Sequence, residues 1–281
     1  MRELSCNAIA NAVERLCIRA SYDLPADVED CIRRAGQQET SAFGKYVINK
    51  IEENITYARE NKLPLCQDTG TAFVIAEIGQ ELVLTGGNVN DAINEGVRRG
   101  YKNGYLRKSI VKDPIFDRTN TQDNTPAVFY CETVPGDRMK IMLLPKGGGG
   151  ENCGALKMLR PADGLQGVKD FILQTINEAG GKPCPPVIIG VGVGGTLDKA
   201  AYLSKRALCR DVGQHNPNPN YAALEEEMLR LVNNTGIGPQ GLGGNFTALA
   251  VNIEYFPCHI ASLPVAITIN CHCSRFAEVV L

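Results

Sequence analysis

"KLPLCQDTGTAFVIAEIG", residues 62–79, separates two kinds of sequence. Upstream, Ile9, Val13, Leu16 and Ala20 keep helical spacing, and Pro25 after Leu24 suits a second helix start. Phe43, Val47, Ile51, Ile55 and Ala58 then recur along one face of a third helix. Pro64 stops that pattern and "AFVIAEIG" reads as a strand, so "LCQDTGTA" falls in a turn between helix and strand, the kind of scaffold-held loop that carries function. Downstream, strands are predicted at "AVFYCETV", "RMKIMLLP", "PPVIIGVGV", "TALAVNIEY" and "LPVAITIN". Helices are predicted over 89–100, 164–178, 197–208 and 221–233. The expectation is an α+β fold, with antiparallel strands wrapped by helices behind a helical N-terminal segment. No clean linker or internal repeat is visible, and "QHNPNPN" at 214–220 reads as a surface loop, so residues 1–281 are expected to form one domain with 1–61 as helical lead-in.

Composition narrows the function classes. The 281 residues are ample for an enzyme, and 29 basic against 31 acidic side chains leave a net charge of -2. That balance lacks the positive footprint of a duplex-binding protein or a polybasic membrane anchor, so neither nucleic acid nor membrane is an expected partner. No apolar run approaches the roughly 20 residues of a spanning helix, and "MRELSCNAIANAVERLC" is charged and amphipathic rather than signal-like. A cytoplasmic protein is expected. Its eleven cysteines, odd in number and scattered, suit reduced thiols better than a disulfide framework. They contain no C-x2-C pair, the only close spacing being Cys271 and Cys273, so any metal site must collect ligands far apart in sequence.

Glycine-rich pieces offer competing readings. "GVGVGG" at 190–195 formally matches a dinucleotide fingerprint, but Asp211 follows helical sequence instead of ending a second strand. Close approach of the backbone to a packed element or a ligand explains those glycines better. "PKGGGGENCG" at 145–154 places four bare amides in succession, which can form an anion nest for a carboxylate or phosphate, or a plain hairpin turn. "NNTGIGPQGLGGN" at 233–245 reads equally as a simple loop. In "LRKSIVKDPIFDRTNTQDNTPAV", residues 106–128, Arg107 offers a planar fork for a carboxylate, while Asn120, Thr121, Asp123 and Asn124 can fix their own backbone. "YFPCHIASLPVAITINCHCSRF" holds two of the three histidines, His259 and His272, each beside a cysteine and suited to proton transfer near neutral pH.

Taken together, "LCQDTGTA", "LRKSIVKDPIFDRTNTQDNTPA", "KGGGGEN", "CPPVIIGVGVGGT", "PCHIASLPVAI" and "CHCSR" resemble the alpha subunit of two-subunit iron–sulfur hydro-lyases, the class I fumarate hydratase and tartrate dehydratase family. The matching blocks run from about residue 62 to 276.

That resemblance implies a [4Fe-4S] cluster held by Cys66, Cys184 and Cys271, with Cys273 a competitor for the third position and Cys258 a weaker one. Three thiolates leave one iron without a protein ligand, able to act as a Lewis acid on a C–OH bond or on water. It further implies catalytic roles for Asp68 and for His259 as a proton-handling group, and substrate binding by Gln67, Arg107 and the amides near Gly148. Asp68 beside Thr69 and Gly70 also suits a turn cap. Residues 62–281 would be the cluster- and substrate-binding part, and a beta subunit would complete the site. The expected reaction is reversible hydration of fumarate to L-malate, the alternative is tartrate to oxaloacetate, and mesaconate is a possible side substrate. A nicotinamide-dependent dehydrogenase using "GVGVGG" and a non-catalytic redox or metal module are the competing classes.

Overall fold

The computed structural model describes residues 2–281. The first stretch is helical apart from a four-residue strand: β1 (Arg2–Ser5), α1 (Cys6–Tyr22), α2 (Ala26–Gln38) and α3 (Ala42–Asn61). Then come β2 (Thr71–Gly79), β3 (Leu82–Thr85), α4 (Val89–Asn103), β4 (Val128–Val134) and β5 (Met139–Lys146). A one-turn helix, α5 (Gly148–Glu151), leads to β6 (Ala155–Leu159), α6 (Gly164–Ala179), β7 (Val187–Gly194), α7 (Leu197–Ala207) and α8 (Pro219–Asn233). The chain closes with β8 (Ala248–Phe256), β9 (Leu263–Asn270) and β10 (Ala277–Val280). The fold is α+β, with every predicted strand and helix present.

The chain forms two compact units. Unit 1 takes residues 2–25, 55–148 and 275–281. Its sheet runs β10-β5-β2-β4, and β1 pairs with β3 beside it. The Ser5 side chain caps α1 by accepting from the Ala8 amide at 3.2 Å, and the Ile9, Val13, Leu16 and Ala20 stripe is buried as its spacing predicts. With Val74, Ala76, Ile141 and Leu143 from the sheet and Ile93, Val97 and Tyr101 from α4, this stripe builds one core. On α3, Val47, Ile51, Ile55 and Ala58 are buried, whereas Phe43 is not: it stands 54 % exposed and stacks on Tyr46.

Unit 2 takes residues 26–54 and 149–274, with a sheet in the order β6-β9-β7-β8. Its core joins Val187, Ile189 and Val191 of β7 to Ile267 and Ile269 of β9, with Ile172 and Ile176 of α6 and Met228 of α8. Both sheets are mixed rather than purely antiparallel. β4 runs parallel to β2, and β8 parallel to β7, each as an edge strand. The cause is the connection: α4 lies between β2 and β4, and α7 and α8 between β7 and β8, and a helical crossover returns the chain in its original direction.

In each sheet the next connection must then pass over the end of the central strand. The β4–β5 turn does so at Gly79, where a Cβ would stand 2.4 Å from the Gly136 oxygen. The chain leaving β8 does so at Gly194, where a Cβ would stand 2.0 Å from the oxygen of Phe256, the last residue of β8. "GVGVGG" serves packing in the same way: a Cβ on Gly190 or Gly192 would lie 2.1 Å from the carbonyl oxygen of Ser204 or Ala200 in α7. Helix α7 fills the space that a dinucleotide would need against those glycines.

Candidate functional site

In unit 1 the loop after α3 faces two ways. Leu65, Thr69 and Gly70 are buried, Cys66 and Asp68 are half-buried, and Gln67 is exposed. The inward residues are anchors. Leu65 N–H donates to the Ser21 carbonyl at 2.9 Å, and the Thr69 hydroxyl donates to the Arg107 carbonyl at 2.7 Å. Gly70 adopts φ +70° against the Lys146–Gly147 backbone, where a Cβ would stand 2.4 Å from the Lys146 carbonyl carbon. Its carbonyl accepts from Asn124 Nδ2 at 3.1 Å, and Asn124 Oδ1 accepts the Ser109 amide at 2.8 Å.

Asp68 joins three segments. Its Oδ1 accepts from Gly70 N–H at 3.2 Å, the turn cap its neighbours suggested. Its Oδ2 accepts from Gly148 N–H at 2.8 Å, and its main-chain oxygen accepts from Arg275 Nη1. Part of the glycine-rich nest is therefore turned toward the chain's own carboxylate, and the four glycines open a helical turn instead of a hairpin. Arg107 is exposed, with its backbone fixed through Thr69. The segment that follows holds itself as expected: Asn120 Oδ1 accepts from Gln122 N–H at 2.7 Å and Asp123 Oδ1 from Thr125 N–H at 3.0 Å. The amides of Phe116 and Ile115 donate to Asp113 and hold its carboxyl below the usual range.

In unit 2 the structure joins the segments of two candidate cluster ligands. Cys184, exposed and at φ +56°, precedes β7, and Cys271 follows β9 at the same end of the sheet, where Ile188 faces Asn270. The Cys184 carbonyl accepts from His272 N–H at 3.3 Å and lies 3.0 Å from His272 Nδ1. Gln240 tightens this corner, its Nε2 lying 3.1 Å from the Pro185 carbonyl and 3.0 Å from His272 Nδ1. Cys271 is half-buried, whereas Cys273 is 5 % exposed and packed into the interior. Cys258 and His259 are elsewhere. They sit on the β8–β9 turn, separated from Cys271 by all of β9, roughly 25 Å at strand rise. His259 is exposed, its Nδ1 accepts from Ala261 N–H at 3.1 Å, and it borders a cleft of about 540 Å³ with Thr196, Lys199, Cys258 and Ser262.

Thiolates are the donors that a soft, sulfur-bound iron centre takes. All eleven cysteines are thiols instead of disulfides, and Cys66, Cys184 and Cys271 all keep solvent exposure. Burial withdraws others; it pushes the Cys17 thiol well above its ordinary pKa and so against the thiolate form that binds metal. Among the described residues no group of three or more His, Cys, Asp or Glu converges on a single ion. A cubane asks for a different layout, one thiolate at each of three separate irons.

Tyr101, Asn124, Arg275 and His272 were not singled out by sequence for the parts they play here. "DNTPA" and "CHCSR" contain three of them, and Tyr101 lies outside every quoted motif.

No helix among the described residues is long and apolar enough to cross a membrane. The chain is 41 % identical over 273 residues to a putative L(+)-tartrate dehydratase subunit alpha of Methanocaldococcus jannaschii, covering 96 % of both chains. It is 32 % identical over 278 residues to the L(+)-tartrate dehydratase subunit alpha of Escherichia coli strain UTI89, covering 98 % of this chain and 91 % of that one. The K12 strain's protein of the same name matches to the same extent. Such relatives are hydro-lyases, and their names make them one subunit of a larger enzyme. Residues 10–280 match the fumarate hydratase (Fumerase) family, and this chain belongs to it.

Proposed function

We propose that this chain is the alpha subunit of a [4Fe-4S]-dependent hydro-lyase for four-carbon dicarboxylates, acting in the cytoplasm on fumarate and L-malate. The observation that carries the reading is the Asp68 corner, where a carboxylate beside Cys66 is held by the amides of Gly70 and Gly148. The thiolates of Cys66, Cys184 and Cys271 would hold the cluster, the burial of Cys273 favouring Cys271 as third ligand. When bound, the cluster supplies a Lewis-acidic iron without a protein ligand.

The chain's own residues would do the rest. The exposed Arg107 guanidinium matches a substrate carboxylate bidentately, and Gln67 is placed on the same loop as Asp68 to hydrogen-bond it. An Asp68 carboxylate oxygen would take or return the substrate proton, its direction fixed by two amides. Gly148 N–H orients that carboxylate in addition to any substrate contact. His259, a full strand length from Cys271, would handle protons at the site of a neighbouring chain of the assembly. We further propose that residues 1–281 act as one functional domain and that a beta subunit supplies the remaining cationic side chains of the site.

Tartrate is the second reading, favoured by the names of the relatives at 41 % and 32 % identity. The two substrates differ by hydroxyl content, which a few side chains can read. Anaerobic co-expression with the beta subunit, cluster reconstitution and turnover with fumarate, tartrate and mesaconate test both. Fumarate turnover exceeding the others supports the first reading and tartrate the second. A cluster-loaded complex inert toward all three ends the proposal.

A further inference from the structure

Behind Asp68 lie two buried side chains that take part in no step above. Tyr101 is fully buried, and its hydroxyl lies between the carbonyl oxygens of Thr69, at 2.7 Å, and Gly70, at 3.0 Å. Burial pushes its pKa up, so the hydroxyl keeps its proton and can only be the donor toward those carbonyls. Arg275 is 2 % exposed. Its Nη1 donates to the Asp68 carbonyl, its Nη2 would stand 3.3 Å from a Cβ on Gly147, and its Nε has no hydrogen-bond partner. Burying a guanidinium is costly unless its donors secure something. Here the three successive carbonyls of residues 68, 69 and 70 all point at donors from these two side chains.

We infer that Tyr101 and Arg275 are positioning residues: together they clamp the Asp68–Gly70 backbone, so that the Asp68 carboxylate is delivered onto Gly148 N–H and toward substrate. The same clamp reaches Arg107, because Thr69, whose carbonyl Tyr101 holds, donates to the Arg107 carbonyl. Proton-handling and carboxylate-gripping groups of unit 1 are thereby set by one buried hydrogen-bond cluster. Tyr101 comes from α4 and Arg275 from the segment after β9, so local sequence around Asp68 contains no trace of the device. The inference rests on the reading of Asp68 given above.

The test uses the chain with its beta subunit, prepared anaerobically as Arg275→Lys, Tyr101→Phe, Asp68→Asn and the two doubles with Asp68→Asn. Expected for Arg275→Lys and Tyr101→Phe are wild-type iron and sulfide content, a kcat lowered by about 100-fold and a KM within about threefold, because a misplaced group costs turnover more than binding. In the Asp68→Asn background each costs much less than its single-variant factor, the remainder acting through Arg107, which is the non-additivity of residues that act through one another. Amide exchange gives a readout independent of turnover: Gly148 N–H should exchange at least about tenfold faster in Arg275→Lys while α1 and β5 keep their protection. If Arg275→Lys fails to accumulate folded, Tyr101→Phe, which keeps the ring in the core, carries both readouts. Wild-type kcat, unchanged Gly148 exchange, or full additivity with Asp68→Asn overturns the clamp. Wild-type turnover by Asp68→Asn alone, with Gly148 exchange still accelerated in Arg275→Lys, instead removes the catalytic reading of Asp68.

Discussion

Gly192→Ala tests the assignment of the "GVGVGG" glycines to helix packing. Gly192 lies in β7 opposite Glu254 and Ala266, with backbone angles open to alanine, so the penalty is steric alone. The new Cβ would stand 2.1 Å from the Ala200 oxygen, 2.7 Å from the Ser204 nitrogen and 2.9 Å from Leu203 Cβ. The first two are main-chain atoms of α7, which no rotamer change can move. Restoring ordinary contact needs α7 to retreat by about 1 Å, and overpacking on that scale costs about 1–3 kcal/mol, the upper end applying where backbone is the obstacle. For a chain of this size about 3 kcal/mol corresponds to a Tm lower by about 6–12 °C. Thermal unfolding followed by circular dichroism measures it. Gly149→Ala is the control, its nearest neighbour being the Lys182 oxygen at 3.6 Å, and it should leave Tm within about 2 °C. A Gly192→Ala protein as stable as wild type would refute the packing argument. Fluorescence quenching by a nicotinamide dinucleotide, lost in that variant, would revive the fingerprint reading in its place.

Glu225, 2 % exposed, accepts from Ile253 N–H at 2.7 Å, from Asn216 N–H at 3.0 Å and from Arg210 Nη2, so Glu225→Gln turns an amide against donors and should cost about 3–5 kcal/mol in urea unfolding. Glu254 has its pKa raised, chiefly by burial, so its contribution is largest below its unfolded value and is lost as pH rises through the folded one. Glu254→Gln should therefore raise Tm at neutral pH relative to wild type, with the difference shrinking toward acid; a constant difference across pH contradicts this. Cys66→Ser, Cys184→Ser and Cys271→Ser should each lower iron bound per chain after anaerobic reconstitution, whereas Cys273→Ser should not, as measured by iron and sulfide analysis. Mixing a Cys184→Ser complex with a His259→Ala complex should regain turnover if His259 serves a neighbouring chain, and no regain in a subunit-exchanged mixture argues against it.

The elements legible in the sequence are those long enough to show a period. The stripe from Ile9 to Ala20 and the run of β2 were visible because each buries one face or both over eight or more residues. The strands that sequence missed, β1, β3, β6 and β10, have four or five residues each, and β6 exposes Leu156 and Met158 although it pairs fully with β9. Phe43 misled because an aromatic at helical spacing was read as core, whereas it sits at the first turn of α3, stacked on the exposed Tyr46. At the site, residue types betrayed the outward-facing groups, Cys66, Asp68 and Arg107. The inward-facing ones that aim them could not be found that way, since Tyr101 looks like an ordinary core aromatic and Arg275 like an ordinary surface cation.

The two sheets share one connectivity over three of their four strands, β2-β4-β5 and β7-β8-β9, and that shared pattern sets off the His259 turn. Each has a central strand, a helical crossover to a parallel edge strand, and a connection back over the central strand's end, where glycine is required. In unit 1 that crossing takes residues 135–138 and closes tightly, with Gly79 N–H donating to the Arg138 carbonyl at 2.8 Å. In unit 2 it takes residues 257–262, longer than the unit 1 sheet needs for the same crossing. In that longer turn Ile260 is 91 % exposed and His259 beside it stands in solvent. His259 therefore stands on a turn two residues longer than the one that makes the same crossing in unit 1, so the crossing over the central strand does not by itself account for the histidine's position.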